Sequence, residues 1–230
     1  MPNPRSQAPT RRRRKQARPQ ELLDAALGLF VERGFAATRM EEVAALAGVS
    51  KGTLYLYYAS KEDLLKAVIR ERLSNEIEVG AAVVAGHAGA YADLLRKLVE
   101  QWWLRVYDSP TSGVFKLIIT EVRSFPDISA YYHREVVEPG KQLIGGVLER
   151  GIAAGEFRAV NVEAAVHSLI LPMVMLCVHK HSLGACEPFA AGIDPHDFVH
   201  RHVELLLHAL AAPHPKPTAA KPAPTRKSKK

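Results

Sequence analysis

The nine residues Ser50-Lys51-Gly52-Thr53-Leu54-Tyr55-Leu56-Tyr57-Tyr58 constrain this chain more than any other stretch. Two short helices, roughly Arg39 to Ala47 and Lys51 to Tyr58, are expected on either side of Gly48-Val49-Ser50. That is the helix, tight glycine turn, helix order of a helix-turn-helix. Thr38-Arg39-Met40-Glu41 has the Thr-x-x-Glu form of a capping box, and Ser50 is placed to accept from a backbone N–H at the start of the second helix. At about 100° per residue, Leu54 and Tyr58 fall on one side of that helix. Gly52, Thr53 and Leu56 fall on the other, flanked by Tyr55 and Tyr57. A solvated face would carry Lys, Glu and Gln there. In a DNA major groove the set makes sense: Gly52 permits close backbone approach, Thr53 can hydrogen-bond base edges, Leu56 can touch thymine methyls, and Tyr55 and Tyr57 can reach phosphates. Ser50 and Lys51 would add phosphate binding at the helix start. A buried helix with aromatic core residues is the competing reading, and the flanking pattern tells against it.

That pattern extends from about Arg14 to Leu65, where the chain resembles the TetR/AcrR family of bacterial transcriptional repressors. The matching residues are Leu22 to Phe30, Glu32-Arg33-Gly34-Phe35, Thr38, Val43-Ala44, Ala47 to Ser50, Gly52 to Tyr55, Tyr58 and Ser60 to Leu65. The resemblance implies an all-α chain: an N-terminal three-helix helix-turn-helix DNA-binding domain joined to a helical ligand-binding and dimerisation domain. It also implies a homodimer that leaves a double-stranded DNA operator when a small-molecule inducer enters the body. Thr38, Lys51, Gly52, Thr53, Tyr55, Tyr57 and Lys61 fall on family positions that commonly contact DNA, and position 56, often aromatic in the family, is Leu56. Beyond about residue 70 only coarse features match, among them Phe115 to Asp127 and Glu135 to Gly140, which look like one type of AcrR-like regulatory domain.

Charge sharpens the division into parts. Residues 1–20 hold seven basic groups, including Arg11, Arg12, Arg13, Arg14 and Lys15, and residues 211–230 hold six, with no acidic residue in either segment. The remaining 18 basic residues face 24 acidic ones, so the folded part is net acidic. Between Glu21 and Leu65 the cations are Arg33, Arg39, Lys51 and Lys61. The N-terminal cluster is therefore expected to supply much of the DNA affinity along the phosphate backbone or in a minor groove. The expected divisions are a disordered basic arm at 1–17, the DNA-binding domain at 18–65, the regulatory and dimerisation domain at 66–211, and a disordered tail rich in Pro, Ala and Lys at 212–230. No apolar run of about 18 residues is apparent, so no membrane partner and a cytoplasmic location are expected.

Helical periodicity in the body predicts helices over 61–85, 90–107, 114–123, 128–150, 162–181 and 195–211. Trp103, Tyr107, Met173 and Cys177 are the candidate ligand contacts, beside a kink expected at Pro172. The last two helices, with Leu169 to Leu171, Val203, Leu206 and Leu210, are the expected dimer interface. Cys177 and Cys186 are too few and too far apart for a disulfide framework. No catalytic motif and no cofactor site is found. Two alternatives remain: a metal-responsive regulator of the same fold, using His179, His181, His196, His200, Glu204 and His208, and a non-specific DNA-coating protein driven by the basic tails.

Overall fold

A computed structural model describes the backbone of residues 11–121, 123–186 and 194–213, with side chains over 19–121, 123–184 and 194–213. The expected arm before residue 11 and nearly all of the expected tail lie outside the described residues. The helices in chain order are α1 Arg11–Arg33, α2 Met40–Leu46, α3 Lys51–Tyr57, α4 Lys61–Ile69, α5 Asn75–Ala85, α6 Tyr91–Tyr107, α7 Gly113–Glu121, α8 Pro126–Tyr132, α9 Glu138–Ala153, α10 Val162–Lys180, α11 Leu183–Cys186 and α12 Pro195–Leu210. Among the described residues no strand forms beyond an isolated bridge between Phe157 and Ala211. The fold is all-α.

Local signals explain the head. Ser50 Oγ accepts from the Thr53 amide at 3.1 Å and starts α3, and Ser60 Oγ accepts from the Asp63 amide at 3.0 Å and starts α4. Gly48 makes the turn between α2 and α3 with φ +66°, a conformation that favours glycine. The expected cap of α2 is corrected by one residue. Its N-cap is Arg39, whose amide donates to Glu42 Oε2 at 2.9 Å, so the pair is Arg39 and Glu42 in place of Thr38 and Glu41. Phe30, Phe35, Val43, Leu54, Leu64 and Leu65 close the small core. Phe125, from the body, meets Phe35 edge to face at 4.8 Å and joins the two cores.

Three expected boundaries move. From Arg11, the first described residue, α1 runs through the expected arm boundary at residue 17, so Arg11–Lys15 are helical; contacts of those five side chains lie outside the described residues. The helix expected over 61–85 is interrupted by a π-helical turn, Arg70–Ser74, and that expected over 128–150 by another, His133–Val137. The two π turns meet, with Ser74 Oγ donating to the Glu135 carbonyl at 3.2 Å.

The expectation about long apolar runs fails at α10. It is 19 residues long and holds an 18-residue window with a mean hydropathy of 1.7, so by length and composition α10 could cross a membrane. Its formal charges, Glu163 and Lys180, sit at its two ends, which is why no charge interrupts it. α10 packs against α7, α9 and α12 and keeps an apolar side exposed, with Leu171 and Met175 outward.

Candidate DNA-reading helix and ligand cavity

α3 is held by Leu54, which is fully buried, and by half-buried Tyr58 just beyond its end. Its outward side carries Leu56 at 85% exposure, with Tyr55 at 42% and Tyr57 at 38%. Gly52 is exposed, and the Thr53 hydroxyl lies 2.9 Å from Ser50 Oγ. The wheel therefore separates packing from display as expected. A leucine and two tyrosines turned outward on one short helix form an apolar surface that no described residue covers.

Two expected contact residues are used inside the head. Thr38 is 1% exposed, and its hydroxyl donates to the Gly34 carbonyl at 2.8 Å with the Leu29 carbonyl 3.3 Å away as a second, weaker acceptor, so its side chain is engaged inside the head. Lys61 Nζ donates to the carbonyls of Phe35, Ala36 and Thr38 at 2.8, 3.0 and 3.0 Å and lies 4.7 Å from the Phe35 ring centroid. Three ammonium hydrogens meet three carbonyls. Lys61 thus fastens the α1–α2 turn and has no donor left for a phosphate.

The other described cations of the head are paired too. Arg33 meets Glu42 at 3.2 Å, Arg39 meets Glu42 at 3.8 Å, and Lys51 meets Glu41 at 2.5 Å. The Lys51 contact holds the Glu41 carboxyl below the usual carboxylate range and Lys51 above its own ordinary value. Both side chains are exposed, so a phosphate can displace Glu41.

The body encloses a cavity of about 340 Å³, near the lower end of the ~300–1,000 Å³ of small-molecule sites. α5 contributes Ile77 and Gly80, α6 Leu98, Val99 and Trp102, α7 Phe115, α8 Tyr132, and α10 Val166, Ile170, Leu171 and Val174. Val136 from the second π turn and Ile144 from α9 complete the apolar wall. Polar side chains are few: Arg105 pairs with Glu76 at 2.5 Å, Lys141 pairs with Glu163 at 3.1 Å, and His167 lies on α10.

None of Trp103, Tyr107, Met173 and Cys177 lines this cavity. The reason is a choice of face. On α6, Leu98, Val99, Trp102 and Arg105 share the cavity side, whereas Trp103 stacks on Tyr107 at 4.1 Å and its Nε1 donates to His196 Nδ1 at 3.1 Å. Met173 and Cys177 are fully buried on the core side of α10, and burial pushes the Cys177 thiol up to about 12. Trp102 and Phe115, aromatic residues legible as possible contacts from their helical spacing, do line the cavity, whereas Arg105, Tyr132 and His167 carried no signal in the sequence.

The histidine stripe of α12 has another use. His196 Nε2 lies 3.0 Å from Asp108, His200 Nδ1 3.0 Å from Glu100, and Glu204 accepts from Arg96 at 2.6 Å. Four-residue spacing on α12 thus meets matching positions on or just beyond α6, forming a polar seam between two antiparallel helices. His181 Nε2, at the C-terminal end of α10, is 2.8 Å from Ser112 Oγ. Among the described residues no three metal-binding side chains converge.

Known proteins share both halves of this arrangement. Residues 22–68 match the family described as bacterial regulatory proteins, tetR family, and residues 87–184 match the tetracyclin repressor-like C-terminal domain. The HTH-type transcriptional repressor KstR2 of Rhodococcus jostii is 31% identical over 157 residues, covering 67% of this chain and 76% of the relative. The fatty acid metabolism regulator protein of Bacillus subtilis is 28% identical over 146 residues, covering 63% of this chain and 74% of the relative. The crystal structure of FadR from B. subtilis in complex with stearoyl-CoA superposes with a TM-score of 0.64 at 20% identity, over 83% of this chain and 98% of that one, and so shares the fold. With a helix-turn-helix displaying an uncovered outer face, a helical body around a cavity, and these relatives in common, the chain belongs to the TetR family of bacterial transcriptional regulators.

Proposed function

We propose that this regulator is a repressor that works as a homodimer in the cytoplasm, each α3 entering a major groove of a palindromic operator, and that a small, mostly apolar molecule in the body releases it. The observation that carries the proposal is the outer side of α3. Leu56, Tyr55 and Tyr57 are costly in water and suited to thymine methyls and phosphates. Thr53 and Gly52 complete the reading surface, and Ser50 and Lys51 bring the helix start to the backbone. The basic run Arg11–Lys15 supplies the phosphate contacts that the paired head cations supply poorly.

Release follows from a rigid connection. Phe115 of α7 forms part of the cavity wall, and the next residue, Lys116, donates to the Val31 carbonyl near the end of α1 at 2.9 Å. At the other end of α7, Glu121 accepts from the Phe35 amide at 3.3 Å. A ligand that favours a different position of α7 therefore shifts the head toward arrangements that fit the operator less well. The apolar wall supports an apolar ligand, as does stearoyl-CoA in the complex of the similar B. subtilis protein.

Pairing rests on α10 and α12, which leave Leu171, Met175 and Leu205 outward. Leu169, Val203 and Leu210, expected at the interface, are buried within the chain's own core, so a partner meets the exposed set instead. Two-fold pairing sets two α3 helices about 34–36 Å apart, as successive major grooves require.

The test is selection from a random duplex pool with the full-length protein, together with light scattering. Two inverted half-sites and a mass twice the 25.3 kDa of the chain are expected; a pool with no preferred sequence overturns the reading. Replacing Arg11–Lys15 with Gln should weaken every site and lower the salt slope by up to about 0.9 per lost phosphate contact; an unchanged slope assigns the affinity elsewhere.

A further inference from the structure

We propose that the Tyr132 hydroxyl is the polar anchor of the cavity and donates a hydrogen bond to a neutral carbonyl oxygen on an otherwise apolar ligand. The inference rests on the reading of the cavity as an inducer site and adds the ligand's one buried polar group. Tyr132 is the last residue of α8 and one of the residues that line the cavity. Among the described residues nothing hydrogen-bonds its hydroxyl. The oxygen is not sealed into the core either, because Arg72 Nε is the only described side-chain atom both unpaired and cut off from open space. A polar group in an apolar interior is costly unless partnered, and here the space beside it is a cavity.

The chemistry of the partner follows. Burial pushes the phenol up to about 12, so near neutral pH it keeps its proton and donates. A carboxylate on the ligand would lose its hydration for one neutral donor, since the two cations of the wall are engaged, Arg105 by Glu76 and Lys141 by Glu163. A trapped water needs two to four polar partners, and the charged side chains of the wall are few and mostly paired already, Arg105 with Glu76 and Lys141 with Glu163. A ketone, ester or thioester carbonyl needs one donor and no counter-charge. It is the acceptor that fits.

The experiment compares octanophenone and octylbenzene, which differ by one carbonyl oxygen, on full-length protein and Tyr132→Phe by isothermal titration calorimetry. The substitution is expected to weaken the ketone by on the order of tenfold and to leave the hydrocarbon unchanged or tighter. If both compounds bind and the ratio of their affinities is the same in both proteins, the anchor is refuted while the apolar cavity stands. If neither binds the unmodified protein, the inducer-site reading fails and the anchor with it. A second measurement needs no variant: the infrared stretch of carbonyl-labelled octanophenone should move to lower frequency in the complex. A stretch at its value in hydrocarbon solvent overturns the proposal.

Discussion

Head and body hold their uncommitted side chains in opposite ways. The head turns Tyr55, Leu56 and Tyr57 outward on a helix whose inner side is locked, and spends Thr38 and Lys61 on its own turns. The body turns Tyr132 inward, onto a cavity, and spends Trp103 and His196 on the seam between α6 and α12. In each part the residues with the most distinctive chemistry are partly structural. Only packing separates those that hold the fold from those left to meet another molecule.

The sharpest way to break this comparison is to remove the displayed side of α3. Thr53→Ala with Tyr55→Ala should lower affinity for the selected operator by on the order of a thousandfold, each contact being worth about 1–3 kcal/mol. Melting should change little, because Tyr55 is exposed and Thr53 gives up only its contact with Ser50. Retained sequence selectivity in the folded double variant would remove α3 as the reading element.

In the body the equivalent contrast lies between adjacent tryptophans. Trp103→Ala empties a buried site and should cost about 3–5 kcal/mol in denaturant unfolding. Trp102→Ala, on the cavity side, should cost less stability and more ligand affinity. The reverse pattern would put the ligand on the His196 side of α6. Lys61→Met should cost about 1–3 kcal/mol of stability through the lost carbonyl bonds. It should leave the salt dependence of operator binding unchanged, and a flattened dependence would return Lys61 to the phosphates.

How much was legible follows from the shape of each element's apolar pattern. α3 has one buried residue in seven, so the position of Leu54 orients the whole helix and its outer side can be read from spacing alone. α10 is apolar on nearly every side, and the same arithmetic cannot tell Met173 from Val174; contacts with α7, α9 and α12 decide it. The stripe His196, His200, Glu204 was visible as one face, yet spacing does not say what the face meets, and it meets α6. Thr38 was read as a cap because it stands one residue before the true one. Lys61 was placed near DNA by the resemblance, but its three carbonyl partners lie 23 to 26 positions back in the chain. Tyr132 carries no local signal, because an unpartnered hydroxyl is a property of the surroundings. The π turns are equally silent: nothing in Arg70–Ser74 or His133–Val137 marks the extra residue.

The smallest expected effect tests the seam where the body meets the head. His181, at the end of α10, lies 2.8 Å from Ser112 Oγ, which itself donates to the Ser109 carbonyl at 2.9 Å. Ser112 has one hydrogen to give, so His181 Nε2–H must be the donor to it, and the neutral ring suffices. Burial, and then the nearby Lys180 and Lys116, lower the His181 pKa below its ordinary value. In the unfolded chain the ring takes up its proton near its ordinary value of about 6.5, before the folded protein does. The stabilisation is therefore complete above that pH, declines as pH falls below it, and levels off under the folded value. His181→Gln should lessen the fall in melting temperature between pH 7.5 and pH 5.5 by a small but measurable amount. Ser112 precedes Gly113, which packs against Val31 of α1, so the same variant shows whether loosening this seam also weakens operator binding at low pH. Identical pH profiles for both proteins would mean that solvent reaches the ring and that the seam carries no proton-linked stability.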